Sequence, residues 1–190
     1  MIINGGTGNG YAVGVTGEGR LKSSCVNFTM EHHVNHSDEE SYSAGVSVTP
    51  NAGASTPTCL LYIKNDSDKD MIITENMFTV DTTNVTVTLK QGDEGTPANT
   101  ASMTITNRNA GSCNEADVTA YIGADGSGVT GMSGGSAIQT IKVIAGLESK
   151  YYSTMSGFII PKNKIYTIWA SGDCTGLRVG TGISFHSIGE

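Results

Sequence analysis

The chain has 190 residues, enough for one domain with an appendage, and its formal net charge of −7 disfavours a main role on phosphate backbones. Only 15% of residues are charged, against a usual share of about 25%, and there are 25 glycines. With Thr, Ser, Asn and Val plentiful and Leu scarce, the composition points away from helices and toward strands joined by tight turns.

The N-terminus carries neither a basic region nor an apolar run, so no secretory signal is expected and synthesis in the cytoplasm is. No stretch approaches the roughly 18 apolar residues of a membrane span. Residues 1–41 read as an extended, Gly-rich arm, with Gly5, Gly6, Gly8, Gly10, Gly14, Gly17 and Gly19 in its first half. Two short alternating pieces interrupt it. One contains Tyr11, Val13 and Val15; the other contains Val26, Phe28 and Met30. These six residues are the candidate partner-binding positions of the arm. Such a segment does not repay its own ordering entropy alone, so it is disordered or it orders against a partner. His32, His33 and His36 beside Asp38, Glu39 and Glu40 are a candidate metal or pH-sensing cluster; the plain alternative is a solvated polar stretch. Ser37 and Glu40 have capping-box spacing, with room for one or two helical turns.

Residues 42–190 read as strands. Residues 42–48 alternate, and 59–64 form a continuous apolar run of the kind found in a sandwich core. The polar cluster Asn65–Asp70 followed by Met71–Thr74 reads as a hairpin or short loop between paired strands, continuing toward Val80. Asp66, Asp68 and Asp70 alternate as at the start of a calcium loop, but the glycine and distal glutamate of such a loop are missing. Val85, Val87 and Leu89 share one strand face, while 91–99 reads as a loop. Further strand signals lie at 103–106, 117–122 and 138–144, with a Gly-rich loop expected over 123–135. The stretch 145–152 carries the only hint of helical period. Phe158–Ile160 ends in a Pro-Lys-Asn turn, and 165–170 and 177–188 supply the closing strands. Eight to ten short strands with long connections predict an all-β fold, an antiparallel β-sandwich or jelly roll.

Chemistry-bearing motifs fail in context. Cys25, Cys59, Cys113 and Cys174 show no C-x-x-C spacing, so free thiols are expected and no pairing is assigned. The Gly-x-Gly pieces do not sit between a strand and a helix, and His186 has no obvious nucleophile partner. Asn-x-Ser/Thr matches at Asn27, Asn35, Asn65 and Asn84 read as chance. Tyr151, Tyr152, Tyr166 and Trp169 are a candidate sugar-stacking platform, although Trp169 lies in an apolar strand and reads as core. No enzyme, cofactor or metal is called for.

Three stretches carry a resemblance across residues 58–190. They are Leu60–Asn65 with Lys69–Ile73; Thr106–Asn109 with Gly111, Ser112 and Asn114; and Phe158–Asn163. The chain resembles small virion proteins of tailed bacteriophages, especially capsid decoration (head cement) proteins. The resemblance implies a β-sandwich or jelly roll on the capsid exterior, made in the host cytoplasm. It also implies a homotrimer with the major capsid protein as partner, stabilising the shell by clamping neighbouring subunits. The alternative is a tail or fibre component, or a host-glycan-binding β-sandwich module.

Overall fold

The structure is a computed structural model that describes residues 2–4, 10–12, 40–48, 57–124, 126, 128–146, 150–172 and 176–186. The chain divides into two units, 1–30 and 31–190. In the first, β1 (Ile2–Asn4) and β2 (Gly10–Ala12) pair antiparallel. This part of the expected arm therefore contains a hairpin rather than being extended throughout, its strands joined by the Gly-rich residues 5–9.

The second unit is a two-sheet antiparallel β-sandwich, and β3 begins at Ser41, one residue before the boundary read from sequence. Its strands are β3 (Ser41–Val48), β4 (Thr58–Asn65), β5 (Asp70–Thr79), β6 (Val85–Ala98), β7 (Thr100–Ser102), β8 (Thr106–Asn107), β9 (Val118–Gly123), β10 (Thr130–Val143), β11 (Lys150–Ile160), β12 (Ile165–Ser171) and β13 (Leu177–His186). One sheet has the order β10-β6-β12-β4-β9-β7, the other β11-β5-β13-β3-β8.

A simple rule underlies this order. The strands of the first half pair with those of the second half in reverse: β3 with β13, β4 with β12, β5 with β11 and β6 with β10. Leu177 faces Val48, Ile165 faces Lys64, Ile160 faces Met71 and Val143 faces Val85. The body is thus one long antiparallel hairpin, rolled so that successive strands alternate between sheets, with its tip between Ala98 and Thr130. That is the double Greek-key arrangement of a jelly roll. The tip supplies β9 and β7, which extend the first sheet beyond β4, and β8, which extends the second beyond β3.

The core lies between the sheets. Leu61, Ile63, Val87, Leu89 and Ile168 from one sheet meet Met71, Ile73, Phe78, Leu177 and Ile183 from the other. Each such side chain, fully buried, contributes roughly 1.5–3 kcal/mol. Within this apolar layer Tyr166 donates its hydroxyl to Asn76 Oδ1 at 3.0 Å, and Thr181 Oγ1 donates to the same atom at 3.1 Å. The bond from β12 to β5 links the two sheets through the core. Burial drives the Tyr166 phenol far above its ordinary value, so it remains a donor.

Five sequence expectations change. β4 and β5 are not a hairpin: the turn 66–69 passes from one sheet to the other, because the apolar run of β4 is bracketed by β12 and β9 instead. Residues 91–98 are strand rather than loop, and 130–135 belong to β10 rather than to a Gly-rich loop. Gly92, Gly95, Gly131, Gly134 and Gly135 adopt positive φ and let a bulged ladder continue where other residues would break it. Met103–Ile105 is not strand, its neighbours β7 and β8 being short and in different sheets. Within the helical hint at 145–152, Ala145 and Gly146 form a turn and residues 150–152 begin β11, while 147–149 lie outside the described residues. Among the described residues no helix is long and apolar enough to cross a membrane.

Candidate functional site

Apart from Arg178, the outward positions of β3 and β13 carry almost no side chain. On β3 they are Ser43, Gly45 and Ser47; on β13 they include Gly180 and Gly182. Register sets Gly180 opposite Gly45 and Gly182 opposite Ser43, and on the other side Gly180 opposite Met77 and Gly182 opposite Glu75. The result is a trough of about 290 Å³ floored by two strands of backbone. Met77, 44% exposed, forms one wall. Glu75 and Arg108, joined in an ion pair, close one end. A Cβ on Gly182 would meet the Glu75 Cγ, so glycine is what lets this pair lie across the strand. Just beyond Arg108, residues 104–115 line a second hollow of about 440 Å³. Its loop is held by Asn107 and Ser112, whose side chains accept from the Asn109 and Asn114 amides at 2.8 and 3.0 Å.

The outer face of the six-stranded sheet holds a second cluster, made of Cys59, Tyr62, Val129, Met132 and Trp169 with Tyr121 and Ile165 against it. Asp93 lies among them, 3% exposed. Its Oδ2 accepts from Thr167 Oγ1 and from Trp169 Nε1, the latter at 2.8 Å. Its Oδ1 has no hydrogen-bond partner among the described residues. Lys90 Nζ stands 4.3 Å from the centroid of the Trp169 ring and donates to the Gly134 carbonyl at 3.3 Å. Burial, with Asp93 nearby, pushes the Cys59 thiol up to about 12, so it stays protonated and unreactive at neutral pH. Tyr62 stacks on Tyr121 with centroids 5.7 Å apart. Sequence spacing gave no sign of this cluster, since Asp93 lies far along the chain from Trp169.

The sequence candidates fare differently. Tyr11 lies on β2, where only the backbone is described. Val13, Val15, Val26, Phe28, Met30 and the three histidines His32, His33 and His36 lie outside the described residues, as do Cys25 and Cys174. Cys59 and Cys113 are free thiols. Of the aromatic platform, Tyr166 points into the core and Trp169, 9% exposed, into the outer cluster, on opposite faces of β12, while of Tyr151 and Tyr152 on β11 only the backbone is described. Two of the three alternating aspartates are taken up by side chains. Asp66 accepts from Lys64 Nζ and from Thr119 Oγ1, both at 2.5 Å, and Asp68 pairs with Lys162. Among the described residues no group of three or more His, Cys, Asp or Glu is placed to hold a metal.

Asn65, one of the four sugar-acceptor matches, is fully buried. Its Nδ2 donates to the carbonyls of Lys69 and Ile160, each at 2.8 Å, and its Oδ1 accepts from the Ser67 amide at 3.0 Å. It pins the 66–69 turn to the end of β11, a structural task that explains the residue without any glycan.

No protein-family model matches the chain, and comparisons with curated proteins and with solved structures each return no match.

Proposed function

We propose that the chain is a virion structural protein of a tailed bacteriophage, a decoration or cement protein that binds the outer capsid surface and stabilises the shell. It acts without catalysis, by several non-covalent contacts made at once from a homotrimer onto the major capsid protein. Its setting is the exterior of the virion. Joining weak contacts in one oligomer raises avidity by orders of magnitude without any new contact chemistry.

The observation that carries the reading is the trough across β3 and β13. A backbone floor with one exposed methionine and a neutralised ion pair suits the flat surface or apolar side chains of a neighbouring protein. The jelly-roll framework is used by viral capsid domains and by lectins alike, so the fold by itself selects neither. The glycan-binding alternative draws less support from Tyr166 and Trp169, which are divided between two buried clusters.

The test is co-sedimentation of the full chain with preformed phage capsids whose decoration sites are bare. Saturable binding and a raised unfolding temperature of the shell are expected. Gly45→Lys fills the trough without a clash, since a Cβ there meets nothing within 4 Å. It is expected to abolish binding while leaving the fold intact. Wild-type chain that stays in the supernatant, or that binds glycans instead, overturns the reading.

A further inference from the structure

The two lateral sides of the sandwich end differently. On one side the hairpin tip has added β7 and β8, edge strands of only three and two residues. Short edges of this kind blunt a sheet against pairing with other chains. On the other side the sheets end in β10 and β11, strands of 14 and 11 residues with no further strand paired to them among the described residues. Neither contains Pro, Asp or Glu, and each has a single lysine, Lys142 and Lys150. Register shifts interrupt both strands, which leaves Met132–Ala137 and Gln139–Val143 on β10, and Lys150–Ser153 and Phe158–Ile160 on β11, as regular stretches. The large hydrophobics most exposed among the described residues gather here. Ile144, 41% exposed, follows β10; Ile159, 52% exposed, lies on β11; Met77 lies on β5, the strand paired to β11.

We propose that this β10–β11 side is where copies of the chain associate, edge strand to edge strand. A second copy is the occupant that the charge favours. With a net charge of −7, two copies repel, and strands free of acidic residues are where they approach with least cost. β10 and β11 are joined by residues 144–149 alone, so they run in opposite senses. Around an axis along the strands, β10 of one copy lies antiparallel to β11 of the next. A closed ring built this way leaves no long edge unpaired, which an open chain of copies does not achieve. The inference rests on the oligomer proposed above and supplies its contact surface. Its outcome is independent of capsid binding: failure on capsids with an intact oligomer counts against the decoration role alone.

The experiment is sedimentation equilibrium of the full chain with two variants. Ile144→Lys/Ile159→Lys places charge on the long edges, at side chains already exposed; Ser102→Lys/Thr106→Lys does the same on the short edges. The wild type and the short-edge variant are expected to form the same closed oligomer. The long-edge variant is expected to weaken association by at least about tenfold. A monomeric wild type, an unchanged long-edge variant, or equal weakening by both variants overturns the proposal. Hydrogen exchange of the wild type at high and low concentration keeps the test decisive if a variant misfolds. Gln139–Val143 should exchange more slowly when concentrated, and equal rates refute the contact.

Discussion

Asn65 uses every hydrogen-bonding atom of its side chain, whereas Asp93, nearly as deeply buried, has one carboxylate oxygen with no partner among the described residues. Asn65 sits where the chain crosses between sheets, and its three bonds all go to main chain. A turn that crosses between sheets has no ladder to hold it, so a side chain must supply the missing partners. Asp93 sits inside a ladder that already satisfies the backbone. Its two donors, Thr167 and Trp169, also bond to each other at 2.9 Å. The difference teaches that burial alone does not measure what a polar residue holds in place; the number of bonds with no substitute does.

Isosteric exchange breaks the comparison most directly. Asn65→Asp removes both donors and sets a carboxylate against the Lys69 and Ile160 carbonyls. It is expected to destabilise by about 3–5 kcal/mol in urea titration, or to prevent folding. Gly135→Ala comes next. Gly135 has φ of +68°, and an added Cβ would collide with the Asp93 carboxylate. A loss of about 2–3 kcal/mol is expected, and a double-mutant cycle with Asp93→Ser should recover part of it. Asp93→Asn, the reverse of the first exchange, keeps the Oδ acceptor for Thr167 and Trp169. Its effect is expected to stay within about 1 kcal/mol. If Asp93→Asn costs as much as Asn65→Asp, the distinction fails.

The smallest effect lies at the edge of the same turn. Burial alone would raise the Asp66 carboxyl, but hydrogen bonds from Lys64 and Thr119 outweigh it and hold the group below its ordinary 3.8. A depressed carboxyl stabilises the fold fully above its unfolded value and loses that contribution as pH falls through the lower folded value. Asp66→Asn is therefore expected to cost a few tenths to about 1 kcal/mol at pH 7, with the cost shrinking as pH falls below the ordinary 3.8. Thermal unfolding across that range checks it.

Much of this architecture was legible residue by residue. The continuous apolar runs of β4 and β12 and the alternation in β3 and in the first half of β6 report local burial, and local burial repeats with the strand period. The Pro161-Lys162-Asn163 turn was equally plain, with Asn163 at φ of 61°. The distal halves of β6 and β10 were hidden, because glycine reads as loop wherever a bulged ladder is not yet known. The roles of Asn65 and Asp93 were hidden for a different reason. Their partners Ile160 and Trp169 lie 95 and 76 positions away, and spacing along the chain carries no trace of them.

By itself, then, the sequence determined that the chain is all-β and roughly where most of its strands run, since a strand's inward and outward faces are written in alternate residues. Only the tertiary structure decided which strands pair. Rolling one long hairpin across two sheets is a matter of contacts between residues up to about 140 positions apart. The same rolling decided that the inserted tip blunts one side of the sandwich and leaves β10 and β11 as long edges on the other.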